Sequence, residues 1–211
     1  ISGGQSFFSK NEIKDAMSYL RLLVNPDDDA AFLRVVNVPR REIGPRTLEQ
    51  LSHYARSRNV SLFRALGDMG AETHVTEKGL DRLRRFAHWV DNTCERLHSE
   101  DPIPVIKQLF TDIEYEEWLH LHSGSPKQAE RRMENIWYLV ESIQRMLDAW
   151  DAVELQVSAH VPLADEVARG LQFTREHLSL WVTRQDATRC VPREAELLHA
   201  RWKVLQHLGH A

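Results

Sequence analysis

Val38-Pro39-Arg40-Arg41-Glu42-Ile43-Gly44-Pro45-Arg46-Thr47 is a turn that feeds a helix. Gly44 can take the φ > 0 that a sharp turn often needs. Pro45 suits the first helical position, where a missing N–H costs nothing. Thr47 then leads Leu48, Leu51, Tyr54 and Ala55 at helical spacing. The first turn of that helix offers free N–H groups and the positive end of its dipole to an anion. Arg40, Arg41 and Arg46 surround that end. A helix–hairpin–helix of this kind grips a phosphate backbone without reading bases. The same ten residues also fit a well-capped turn in a helical bundle with solvated arginines.

Working outward, the flanks sharpen the charge argument. The chain of 211 residues carries a net charge of −4, which argues against a general nucleic-acid binder. Between Arg34 and Arg58, however, six arginines (34, 40, 41, 46, 56 and 58) face only Glu42 and Glu49, a local net of +4. Phosphate binding depends on such patches more than on the total. Hydrophobic content of 42% and charged content of 27% describe a globular protein. No apolar run approaches the roughly 18 residues of a membrane span, so no membrane partner is expected. The start, Ile1-Ser2-Gly3-Gly4, has neither a secretory leader nor an initiator Met, and reads as a cut from something longer. Cys94 and Cys190 lack metal or redox spacing, and a reduced, cytoplasmic setting is the expectation.

The fold class expected is all-α. Ser9 with Glu12 reads as a capping box, opening a helix with Ile13, Met17, Leu20 and Val24 on one face and Asn25-Pro26 as its stop. Asp27-Asp28-Asp29 reads as the start of the next helix, where the dipole favours negative charge, in preference to a metal site. A short helix over 61–66 follows, then a loop, then a long helix capped by Thr76. Cys94 lies on that helix's apolar stripe as a core residue. Arg82, Arg84 and Arg85 read as its solvated face. Asp101-Pro102-Ile103-Pro104 is a break, and Ser125-Pro126 opens a helix buried through Met133, Ile136, Trp137, Val140, Ile143 and Leu147. After Trp150 the pattern changes: 155–159 alternates like a short strand, and 162–170 and 192–208 read as helical.

The chemistry that is missing narrows the function. There is no Gly-rich phosphate loop and no dinucleotide fingerprint. No serine or cysteine sits in a nucleophile context. No catalytic residue and no metal ligand is therefore expected. His120 and His122 stand at i, i+2, on different faces of a helix, unlike the i, i+4 pairs of zinc helices. A hydrolase using them with nearby carboxylates is the weakest of the readings.

Residues 1 to about 147 resemble the Rep/UvrD/PcrA group of superfamily 1 DNA helicases, nearest to its Rep branch. The matching text includes Ile1-Ser2-Gly3-Gly4-Gln5-Ser6-Phe7-Phe8, Glu12-Ile13-Lys14-Asp15, Tyr19-Leu20-Arg21-Leu22 and Asn25 to Arg34. It continues through Val36 to Gly44, then Ser125-Pro126-Lys127 and Arg132-Met133-Glu134-Asn135. The resemblance implies a 2B subdomain, a helical module inserted into the second motor domain. Residues 1–8 would be the joint, with Gly3 and Gly4 as the hinge, 9–149 the module, and 150–211 a tail without the resemblance. It implies that Glu42, Ile43, Gly44, Arg46 and Thr47 form the helix–hairpin–helix touching duplex phosphates. Arg40, Arg41 and Lys127 join them as candidates. It further implies a swivelling module that regulates unwinding, in a parent moving 3′ to 5′ on DNA with ATP and magnesium. No cofactor is expected in this segment. Its partners would be duplex or 3′-tailed DNA, bound without sequence preference, and the motor domains. The alternative is a helical interaction module whose arginines meet an acidic protein.

Overall fold

The computed structural model describes residues 7–160, with side chains as far as Asp148. Among these residues the chain is all-α and contains no strand. The helices are α1 (Asn11–Val24), α2 (Asp29–Val35), α3 (Pro45–Arg58) and α4 (Leu62–Gly67), followed by α5 (Glu77–Ser99), α6 (Pro102–Asp112), α7 (Tyr115–Leu121) and α8 (Pro126–His160). Single 3-10 turns precede α1 and α5.

α1 is the hub, packing on α2, α5 and α8. Its expected single apolar face is too narrow a description. Ile13, Ala16, Tyr19, Leu22 and Leu23 are buried, and so are Glu12, Asp15 and Ser18, whereas Val24 is exposed. A helix enclosed on several sides needs polar partners for such groups, and neighbouring helices supply them. Asp15 Oδ1 meets Arg34 of α2 at 2.7 Å, and Tyr115 of α7 donates to Asp15 Oδ2 at 2.9 Å. Burial nonetheless pushes the Asp15 carboxyl above its ordinary pKa, with Arg34 and Tyr115 pulling the other way.

The Ser9–Glu12 capping box does not form; Lys10 is the cap residue, without a side-chain bond to the helix. Glu12 instead accepts from Arg132 at 3.2 Å and Asn135 at 2.8 Å, both on α8. A buried carboxylate gains more from a guanidinium than from one backbone N–H. The segments around Glu12 and Arg132, far apart in sequence, are thus one contact.

The acidic triplet does mark a helix start, and more. Asp28 caps α2 through Ala31 N–H and pairs with Arg21 at 2.6 Å. Asp29 accepts from the N–H of Leu62, and Asp27 meets Ser61 and Arg64. The triplet therefore staples α2 to the beginning of α4. No metal-holding group of side chains occurs among the described residues.

α8 runs unbroken through 150–160, so the strand expected at 155–159 is helix. No Gly or Pro interrupts 127–161, and five alternating residues cannot stop a helix already propagating. The expected boundary near Trp150 lies inside this helix. The expectations for Gly3 and Gly4, and for 162–170 and 192–208, lie outside the described residues. No helix among the described residues is long and apolar enough to cross a membrane.

Candidate nucleic-acid interface

The segment joining α2 to α3 is fixed from within. Asn37 Oδ1 accepts from the N–H groups of Arg41 (2.8 Å) and Ile43 (3.4 Å). Arg41 turns back under the loop. Its Nη1 donates to the carbonyls of Val35 (3.0 Å), Val36 (3.3 Å) and Pro39 (3.2 Å), and its Nη2 to the Tyr19 hydroxyl at 2.8 Å. The guanidinium lies 4.7 Å from the centroid of the Phe86 ring, a cation–π contact. Tyr19 in turn donates to the carbonyl of Val38. Arg41 thus serves the end of α2, whose carbonyls have no helical partner.

Ile43 is 2% exposed and plugs the core. Glu42 adopts φ 56, and Arg82 of α5 donates both to its carbonyl at 2.6 Å and to its carboxylate. The left-handed residue of the turn is therefore Glu42. Gly44, expected to hold that role, is extended at φ −77, ψ 159 as the cap of α3. Pro45 stands in the first turn, as its ring geometry suggests.

Less of the helix start is open than the sequence suggests. Pro45 has no N–H, and those of Thr47 and Leu48 bond to Gly44 O. The N–H of Arg46 has no acceptor among the described residues. The Thr47 side chain is half-buried against Gly79 of α5; a Cβ placed on Gly79 would sit 2.6 Å from Thr47 Cγ2.

The arginine patch also resolves into parts. Arg34 pairs with Asp15 and Arg58 with Asp68 at 3.3 Å, while Arg41 is turned inward. Arg40, Arg46 and Arg56 are exposed and have no ion pair among the described residues. Of the expected contacts, Arg40, Glu42 and Arg46 are exposed, Gly44, Thr47 and Arg41 are half-buried, and Ile43 is buried. Lys127 is exposed on the first turn of α8, which packs on α1, α6 and α7. His122 stacks on Trp118 with ring centroids 4.7 Å apart. Burial and nearby Asp91 push the Cys94 thiol up to about 11, so it stays protonated at neutral pH.

A model of the UvrD-like helicase C-terminal domain matches residues 1–157. The chain belongs to that family. Among relatives of this helicase-domain chain, the ATP-dependent DNA helicase Rep of Salmonella typhimurium is 47% identical over 174 residues. That match covers 81% of this chain and 26% of the relative. Rep of Escherichia coli is 45% identical over the same shares. A probable DNA helicase II homolog of Rickettsia conorii is 33% identical over 154 residues, 73% of this chain and 23% of its own length. The UvrD-like segment thus spans about a quarter of the curated relatives it matches.

The sequence did not disclose which arginines of this UvrD-like chain face inward. Asn37 ahead of Pro39 was the one local sign, because Asn side chains tie turns to their own backbone. Nothing local marks Arg82 as the partner of Glu42.

Proposed function

We propose that this chain is the 2B-like accessory subdomain of an ATP-dependent 3′–5′ DNA helicase, and that it binds duplex phosphates without reading sequence. In this reading α2, the loop and α3 act as the helix–hairpin–helix. Arg40 and Arg46 supply charge, the Arg46 N–H and the α3 dipole favour an anion, and open Gly44 permits close approach of the backbone. Arg41, Glu42 and Ile43 hold that surface in shape. Thr47 packs the rim onto α5, and Lys127 is a separate contact from α8. Residues 9–149 form the module, swivelling on the joint at 1–8 and regulating unwinding. ATP and magnesium belong to the motor domains of the parent.

The observation that carries the reading is the division of labour in the loop. Arg41 is consumed by internal bonds, while its neighbours Arg40 and Arg46 are left exposed and unpaired in a member of a helicase family. The test is anisotropy of labelled duplexes of unrelated sequence, titrated at several salt concentrations. Equal affinities that fall steeply with salt support the proposal. Failure to bind any duplex at low salt overturns it, and an acidic protein that plain duplex cannot displace would favour the interaction-module alternative.

A further inference from the structure

The α2–α3 loop lies along a row of cations on α5. Lys78, Arg82 and Arg85 stand at i, i+4 and i+7, on one helix face. Two contacts and a shared groove set the loop beside them. Arg85 lines an open groove of about 730 Å³ together with Arg40. One turn back, Arg82 holds Glu42. Another turn back, Gly79, next to Lys78, touches Thr47. The Glu42–Arg82 pair and the close approach of Thr47 to Gly79 thus set the loop alongside α5, and Arg40 and Arg85 open onto the same groove. Arg84 does not share this face; it bonds the Leu66 carbonyl at 3.1 Å and Glu72 at 2.9 Å.

The charge of Glu42 is met by Arg82 and that of Asp81 by Arg85, so Arg40, Arg46 and Lys78 leave the rim net positive. Lys78 is exposed and has no ion pair among the described residues. Arg85 meets Asp81 at 3.1 Å, with side chains 70% and 65% exposed, an i, i+4 pair that water largely screens. Across the groove the wall changes sign with Asp112, Glu114 and Glu117, which bounds the basic surface on that side.

We propose that the duplex contact extends from the loop onto α5, with Lys78 and Arg85 as further phosphate-binding residues. Seven residues of helix span about 10 Å at about 1.5 Å each, long enough to reach neighbouring phosphates of one strand. The α5 row thus matches a short run of one backbone, while the loop row lies beside it. This inference rests on the duplex-binding reading above.

The experiment compares three double variants of the full chain: Lys78→Gln/Arg85→Gln, Arg40→Gln/Arg46→Gln, and a charge-matched control, Lys107→Gln/Arg145→Gln, on α6 and α8. Duplex affinity is measured against salt concentration, with thermal melts to confirm folding. The α5 pair is expected to reduce the slope of log affinity against log salt by about two units, and the control by much less. If the α5 pair behaves like the control while the loop pair loses slope, the extension is wrong and the loop contact stands. If neither pair departs from the control, both are wrong.

Discussion

Arg82 grips Glu42 at two points, carbonyl and carboxylate, where the loop takes its left-handed turn. A non-glycine residue in that conformation costs on the order of 1 kcal/mol or more. Arg82 comes from α5, forty positions away in sequence, so a tertiary bond holds a locally unfavourable backbone.

Arg82→Ala is expected to destabilise the chain by about 1 kcal/mol, discounted because Glu42 is mostly exposed. In that background Glu42→Gly should recover about 1 kcal/mol, since glycine takes φ > 0 without penalty. Urea unfolding of the two variants measures both. No recovery in the double variant would mean that the turn relaxes once Arg82 is gone.

Arg41 separates scaffolding from phosphate contact. Arg41→Ala strips a donor from three carbonyls and the Tyr19 hydroxyl, and should cost roughly 2–3 kcal/mol. Arg41→Lys keeps the charge but not the planar fork, and should recover less than half. With folded protein selected by temperature, neither should change the salt slope of duplex binding. A slope reduced by about one unit in Arg41→Ala would make Arg41 a phosphate contact instead.

The helical class was legible because it is written locally. Ser125-Pro126 starts a helix where the sequence places it, and Asp28 caps α2, whereas the break expected over Asp101-Pro102-Ile103-Pro104 is already the capped first turn of α6. The buried stripe of α8 follows its spacing. What could not be read was the use of charge. Arg40 and Arg41 are neighbours of one type, and only the fold decides that one meets solvent and the other Tyr19 and Phe86. Glu12 likewise looked like a cap because its partners are more than a hundred residues away. The glycines follow the same logic: a turn at Gly44 is visible in the sequence, whereas the close approach of Gly79 to Thr47 exists only in the fold.

Those two glycines give opposite expectations. Gly44 is extended, and an added Cβ meets nothing within 4 Å. Gly44→Ser should therefore be neutral or stabilising by a few tenths of a kcal/mol through capping. At Gly79 a Cβ would lie 2.6 Å from Thr47 Cγ2 and 2.8 Å from Thr76 Oγ1. Gly79→Ala should force α3 from α5 and cost roughly 1–3 kcal/mol, partly restored by adding Thr47→Ala. Thermal melts of the three variants decide it. A tolerated Gly79→Ala would mean that the two helices do not meet as closely as described.

Tyr19 makes the stability of the chain sensitive to alkali. Its ring is 1% exposed, and burial, together with the charge of Asp15, pushes the phenol up to about 12 against the pull of Arg41. The unfolded chain ionises near the ordinary value of 10. Between those values the folded state holds the proton more tightly than the unfolded state. The stabilisation is therefore complete below about pH 10 and is lost as pH rises toward 12. Two units correspond to about 2–3 kcal/mol. Tyr115 moves in the same direction, through burial and the neighbouring Asp15, so the parent should lose stability steeply in this window. Tyr19→Phe should start lower at neutral pH, because Val38 O and Arg41 each lose a partner. Its alkaline fall should be shallower by the Tyr19 share. Urea unfolding across the window compares the two slopes directly; equal slopes would show that Tyr19 ionises as easily folded as unfolded, and that the contact between α1 and the α2–α3 loop is open to water.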